Sequence, residues 1–331
     1  MVWIKFLICV LIILFAGRRV ARYGDFIAGK TGLGGAWIGT VLIAITTSLP
    51  ELFTGISAVT LVNAPDLTVG NLLGANTFNL FNLALLDIAY RKLTVVSAVG
   101  RSIQYTAWFS LLLVAMVAVF ILISRESAIW GVGWIGWYTP ATIILYLLFA
   151  RIIFRVERKL VQEEAKLRSV DYGIASLRRG VLYFVLSAIL VIGAGVWLAM
   201  IGDEVALVTG WGQSFVGSLF IAFTTTLPEI TVSFTAVRLG ATDLAVANLI
   251  GSNLFNMTII AIDDLLYIKG PILQNVSLTQ TVTAVTVIIM TLVFITGLRF
   301  RQKRYFGLSW WSLVLVAVFL VGAYFSFMMS R

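Results

Sequence analysis

The feature that most limits what this chain can fold into is a succession of apolar blocks near or above 20 residues, separated by short polar stretches. An α-helix needs ~20 apolar residues to cross the hydrocarbon core of a bilayer. Ten such spans are expected, at 2–28, 35–61, 67–89, 102–123, 134–153, 181–208, 213–237, 243–267, 279–298 and 307–329. Composition agrees, with 60% hydrophobic and 12% charged residues, against about 45–50% apolar and about 25% charged in soluble domains. The first block is followed by Gly17-Arg18-Arg19, a poor cleavage site, so it reads as a long tilted span whose arginines snorkel rather than as a signal peptide.

Charge fixes an orientation. The net charge is +9, but the basic residues sit in short loops between apolar blocks, where they act as topology signals rather than as a nucleic-acid surface. All of the 24 Lys and Arg except Lys5, Arg125, Lys269 and Arg331 fall on one side of a ten-span arrangement. That side is expected to be cytoplasmic, with both termini outside. The one substantial polar connection divides the chain into a first repeat (1–153), a cytoplasmic connector (154–180), read as a solvated helical segment, and a second repeat (181–331). Cys9 is the only cysteine and histidine is absent. An intrachain disulfide, a Cys/His metal framework and imidazole chemistry are thereby excluded.

The two halves are related in sequence. AITTSLPE (44–51) matches AFTTTLPE (222–229), and GNLLGANTFN (70–79) matches ANLIGSNLFN (247–256), with Asp87 paired to Asp264. Five spans per half mean that the second half enters the membrane with opposite orientation. This is an inverted-topology repeat, in which a substrate lies near the midplane where the repeats meet.

Glu51 and Glu229 each lie about 16 residues into a span, roughly 24 Å at 1.5 Å per residue. A carboxylate at that depth is costly unless it is protonated, paired or bound to a cation. Pro50 and Pro228 cannot donate the helical hydrogen bond to the carbonyls of Thr46 and Thr224, so helices 2 and 7 are expected to break there and free backbone oxygens. A packing kink is the plain alternative for a lone proline; here Thr46, Thr47, Ser48 and Thr224, Thr225, Thr226 stand alongside each buried Glu. Asn71, Ala75 and Asn79 share one helical face, matched by Asn248, Ser252 and Asn256. Gly70, Gly74 and Gly251 read as packing residues. The inventory is carboxylates, carbonyls, hydroxyls and amides, which suits a hard cation; Ca²⁺ takes 6–8 oxygens in flexible geometry. With the site empty, the two carboxylates repel, so competition by protons or monovalent cations is natural.

Thr46-Thr47-Ser48-Leu49-Pro50-Glu51 with Gly70-Asn71, Gly74-Ala75-Asn76 and Asn79, and Thr224 to Glu229 with Asn248, Gly251-Ser252-Asn253 and Asn256, resemble the α-repeats of the Ca²⁺:cation antiporter superfamily. The compact, prokaryotic-type sodium/calcium exchangers are the nearest in pattern. The resemblance covers roughly 33–92 and 211–269. It implies ten helices, alternating access in the cell's plasma (inner) membrane, a monomeric transport unit, and no cofactor or enzymatic activity. It also implies Ca²⁺ held by Glu51 and Glu229 with carbonyls of Thr47 and Thr225, and a counter-ion site lined by Ala44, Ser48, Asn79, Ala222, Thr226, Ser252 and Asn256. Ala75 stands where the family's first repeat usually has a Na⁺-coordinating Ser, and Asn256 where close relatives often have Asp. The counter-ion is therefore Na⁺ or H⁺, and another divalent metal is the alternative substrate.

Two other functions fit parts of the pattern. A cation channel would use the two glutamates as a constriction, and an intramembrane hydrolase would use them as acid and base. No Ser/His/Asp set, HExxH or nucleotide loop supports the latter. Asp87 and Asp264 read either as charged mouths of the access routes or as ordinary interfacial carboxylates.

Overall fold

The computed structural model describes residues 2–30, 44–89, 95, 99–123, 131–164, 176–238, 242–300 and 309–330. Helix dominates them, as it must where backbone groups have no water to bond. The elements are α1 (Val2–Lys30), α2 (Leu49–Ser57) continued by a π segment (Ala58–Val62), α3 (Pro65–Ala89), α4 (Arg101–Ile123), a short antiparallel pair β1 (Gly131–Val132) and β2 (Ile135–Gly136), and α5 (Tyr138–Glu164). The second half follows with α6 (Leu177–Thr209), α7 (Gln213–Phe215), a second π segment (Val216–Ile221), α8 (Ala222–Thr225), α9 (Leu227–Arg238), α10 (Thr242–Leu266), α11 (Thr279–Arg299) and α12 (Trp310–Met329).

Local chemistry sets the boundaries. Ser176 caps α6 from an extended backbone, its Oγ accepting from Arg179 N at 3.4 Å, and Gly210 closes that helix at φ 72°. Asn63 ends the first π segment at φ 60°, and Pro65 opens α3, where its missing N–H costs no helical bond.

Among the described residues, six helices are long and apolar enough to cross a membrane, or seven when the pair 213–225 and Leu227–Arg238, bent by 44°, is taken as one span. The ten expected blocks reach that number for identifiable reasons. Lys5, Arg18, Arg19 and Arg22 interrupt the apolar character of α1, while Leu49–Val62 and Tyr138–Ile153 are shorter apolar stretches. Much of the second expected span, 31–43, lies outside the described residues. The fifth expected span, 134–153, differs at both ends. Gly133 (φ 63°) turns β1 into β2 before the helix starts, and the helix runs on to Glu164 through a segment rich in Arg, Lys, Glu and Gln. The central part of the connector, 165–175, lies outside the described residues.

Packing follows a crossed plan. α1 and α6 lie side by side and antiparallel, touching at Lys5–Glu204 (2.7 Å), Cys9–Ala194 (3.2 Å) and Tyr23–Tyr183. α3 packs on α11 and α12 of the second half, and α10 packs on α4 and α5 of the first. Two polar contacts repeat this exchange. Asp66 Oδ1 accepts from Ser277 N at 2.7 Å, and Asp243 Oδ1, 177 positions later, accepts from Gly100 N at 2.9 Å. α3 and α10 form the centre: 78% and 83% of their most apolar stretches are buried, against 22% for α12. Peripheral helices spread apolar side chains toward lipid, whereas the central pair hides its polar ones.

Candidate functional site

Both Pro-Glu motifs sit at breaks of the same form. The turn 44–47 ends at Ser48 (φ −85°, ψ 11°) before α2, and α8 ends at Thr226 (φ −79°, ψ 0°) before α9. Ser48 N donates to Ala44 O and Thr226 N to Ala222 O, each at 3.0 Å; Leu52 N and Ile230 N then donate to Ser48 O and Thr226 O, each at 3.1 Å. Pro50 and Pro228, lacking an N–H, interrupt the ladder between these bonds. Each glutamate thus lies in the first turn of a new helix, where the backbone dipole favours negative charge.

Glu51 and Glu229 are both 0% exposed and close enough for their charges to repel. Glu229 Oε1 accepts from Ser48 Oγ at 3.1 Å and Ser252 Oγ at 3.4 Å. Glu229 Oε2 and both oxygens of Glu51 have no partner among the described residues. Each carboxylate faces the threonine of the opposite half, Glu51 beside Thr225 and Glu229 beside Thr47. These hydroxyls also bridge to the opposite half's partner helix. Thr225 Oγ1 donates to Asn71 Oδ1 (3.0 Å) and Thr47 Oγ1 to Asn248 Oδ1 (3.5 Å).

Asparagines lock α3 to α10. Asn76 Nδ2 donates to Asn253 O and Asn253 Nδ2 to Asn76 O, both at 3.3 Å. Asn79 Nδ2 reaches Asn253 Oδ1 (3.0 Å) and Asn256 Nδ2 reaches Asn76 Oδ1 (2.9 Å). Every bond in this set maps onto another when the halves are exchanged. Asn76 and Asn253 were only motif residues in the sequence; the third asparagine in register was the signal of their role. Asn79 Oδ1 and Asn256 Oδ1 remain buried without a partner among the described residues.

Close approach underlies this geometry. Gly70 and Gly74 face the backbone of Ser214 and Ser218, and Gly217 faces Leu67 O at the same crossing. Gly251 differs from expectation, since a Cβ there would make only an ordinary 3.6 Å contact with Ala44.

Among the described motif residues, the buried oxygens left over are those of Glu51, Glu229 Oε2, Asn79 Oδ1 and Asn256 Oδ1. Unpaired carboxylates in such surroundings hold protons or a cation, and all the atoms offered are hard oxygens. The backbone of the two alanines is already engaged: Ala44 O accepts from Ser48 N and Thr47 Oγ1, and Ala222 O from Thr226 N, Thr225 Oγ1 and Thr226 Oγ1. Asp87 and Asp264 are not open mouths. Both are 0% exposed. Asp264 accepts from Gly136 N, Tyr138 Oη, Thr139 Oγ1 and Ile272 N, pinning the start of α5; Asp87 accepts from Val95 N, Ser309 N and Ser312 Oγ, pinning the start of α12.

Known proteins share this plan. The family model described as "Sodium/calcium exchanger protein" matches residues 1–155 and again 179–328. The inner membrane protein YrbG of Escherichia coli is 28% identical over 76% of this chain and 75% of its own length. The putative antiporter CaxA of Alkalimonas amylolytica is 24% identical over 76% of each chain. Among solved structures, the sodium-calcium exchanger NCX_Mj soaked with 10 mM Na⁺ and 10 mM Sr²⁺ superposes with a TM-score of 0.62 at 21% identity, covering 97% of this chain and 98% of its own. With its family matched on both halves and several apolar helices, the chain is a multi-pass membrane transporter of inorganic cations, and it belongs to the sodium/calcium exchanger protein family.

Proposed function

We propose that the protein is a secondary antiporter that exchanges Ca²⁺ for Na⁺ or H⁺ by alternating access, with Ca²⁺ held between Glu51 and Glu229. The observation that carries this reading is the pair of wholly buried carboxylates at two matching helix breaks, with three of their four oxygens unpartnered among the described residues. Two glutamates neutralise one divalent ion. Carbonyls of Thr47 and Thr225 complete the Ca²⁺ shell in this reading, and Ser252, Asn79, Asn256 and the residues around Ala44 and Ala222 serve the counter-ion. The reciprocal hydrogen bonds favour ten spans in two inverted repeats, with the site at the midplane. The loop charges favour a cytoplasmic connector and outside termini in the plasma (inner) membrane.

Ala75 lacks the hydroxyl that Ser252 supplies at the matching position, so the first half offers one neutral oxygen fewer to a monovalent metal ion, and the counter-ion in this reading is Na⁺ or H⁺. Uptake of ⁴⁵Ca²⁺ into proteoliposomes under an imposed Na⁺ or H⁺ gradient tests both levels of the proposal. Gradient-driven, saturable uptake is expected. Uptake that follows the Ca²⁺ gradient alone makes the protein a channel, and transport of another divalent ion in place of Ca²⁺ replaces the substrate.

A further inference from the structure

One carboxyl has no place in the site just described. Asp263, in the last turn of α10, is 0% exposed, and neither of its side-chain oxygens has a hydrogen-bond partner among the described residues. Its neighbour Asp264 does the structural work at this end of the helix. Asp263 points instead at α2, where a Cβ on Gly55 would run into Oδ2; glycine there is what makes room for the acid.

Helix geometry ties this carboxyl to the cation site. Asp263 follows Asn256 by seven residues and Ser252 by eleven, which places all three within about 20° of one stripe of α10. Gly55 follows Glu51 by four residues, so Asp263 stands about one turn, ~6 Å, beyond Glu51 along α2. Both helices run toward the side that the loop charges assign to the outside. The first half has nothing equivalent: since Asp87 matches Asp264, the position matching Asp263 is Leu86.

An ionised carboxylate in this position, with no partner, is strongly disfavoured. A metal ion is a poor remedy, because Ca²⁺ takes 6–8 oxygens and the carbonyl of Gly55 already accepts from Thr68 Oγ1 at 3.3 Å. A proton needs one oxygen only. Around Asp263, the described titratable acids are Asp264 beside it, Tyr267 one turn on, Glu51 on α2 and Asp66 at the start of α3, with Tyr138 and Tyr146 on α5 and, further down their helices, Tyr105, Glu229, Asp87 and Asp243. Of the described cations, Arg151, Arg155 and Arg238 lie toward the opposite ends of their helices, and Lys269, in the turn beyond α10, makes no hydrogen bond to Asp263. None of them neutralises Asp263.

We propose that Asp263 is a proton-binding site, distinct from the Glu51–Glu229 pair, on the outward approach to Glu51, which takes up and releases a proton as cations pass. It deepens the antiport reading and rests on that reading for its place in the cycle. The test uses the full chain in lipid. Infrared difference spectra between alkaline and acidic pH should contain a protonated-carboxyl band that Asp263→Asn removes. In the same variant ⁴⁵Ca²⁺ uptake should persist, but its dependence on outside pH should flatten by about one proton, a tenfold change lost per pH unit. A band and a pH slope unchanged from the parent overturn the proposal. Asp263→Leu, which installs the residue found at Leu86, gives the same two readouts if the Asn variant does not fold; if neither folds, the carboxyl is structural and the proposal falls. The infrared band needs no transport, so a parent chain without Ca²⁺ uptake overturns the antiport reading while the proton site is still judged by its spectrum.

Discussion

Glu51 and Glu229 occupy the same step of the repeat, at matching breaks and with equal burial, yet their surroundings differ by two hydroxyls. Ser252 reaches Glu229, but its counterpart is Ala75. Ser48 crosses to Glu229, but its counterpart Thr226 turns its hydroxyl back to Ala222 O (2.8 Å) and Phe223 O (3.2 Å). Back-bonding to the preceding turn is a common choice for Thr in a helix. Two side-chain hydroxyls therefore donate to Glu229, whereas their counterparts in the repeat do not donate to Glu51. Two nearly identical backbones can thus build a site with unequal walls.

The largest effect should come from the acids themselves. Glu51→Gln and Glu229→Gln should each reduce Ca²⁺ uptake by more than about 100-fold, since even the outer partners of metal ligands are worth about 10–100-fold in affinity. Concentration-dependent ⁴⁵Ca²⁺ uptake measures it. A silent replacement on either side breaks the view that both halves hold one ion.

A stability contrast comes next. Gly74 and Gly251 are equivalent in the repeat, but a Cβ at Gly74 would meet the backbone of Ser218, whereas one at Gly251 finds only Ala44 Cβ at 3.6 Å. Gly74→Ala should destabilise by about 1–3 kcal/mol through overpacking. Gly251→Ala should be neutral or stabilise by up to about 1 kcal/mol from helix propensity. Thermal unfolding of the two variants in the same detergent separates them; equal midpoints would mean that the halves pack alike.

Smaller again is Ser252→Ala, which removes one 3.4 Å hydrogen bond to Glu229. About 1 kcal/mol, or roughly fivefold in Ca²⁺ affinity, is expected. A larger loss would make Ser252 a direct ligand rather than a donor that steadies the carboxylate.

How much of this was legible in the sequence depended on the kind of signal. Motif spacing located both glutamates, both prolines and the asparagine faces, because a repeated pattern of polar residues inside apolar blocks has few causes. Hydropathy located the cores of the spans but not their ends: Gly133 and the short β-pair before Tyr138 are local backbone events that a hydrophobic average does not register. The direction of hydroxyl hydrogens was also hidden, since Thr226 and Ser48 look interchangeable as letters. Asp87 and Asp264 were ambiguous because most of their partners come from the other half of the chain, Ser309 and Ser312 for the first and Gly136, Tyr138 and Thr139 for the second. Asp263 carried no signal in the motif; its orientation toward Gly55 and the absence of donors among the described residues set it apart from Asp264.

The smallest expected effect is also the most direct repair of the difference between the walls. Ala75→Ser would place a hydroxyl one turn from both Asn71 and Asn79, at the position from which Ser252 reaches Glu229. Ala75 is buried beside Phe78 and Ala222, so the added oxygen enters a tight space and its gain is limited by local repacking. With no ion present the hydroxyl can donate to the unpartnered carboxylate of Glu51; with a monovalent metal ion it supplies a neutral oxygen. Ca²⁺ uptake driven by a Na⁺ gradient should therefore rise relative to uptake driven by a pH gradient, by about twofold to fivefold if one neutral hydrogen-bonding group is worth about 0.5–1 kcal/mol. A ratio that does not move would show that the missing hydroxyl is not what sets the counter-ion, and would shift that role to Asn256, whose Oδ1 is buried without a partner among the described residues.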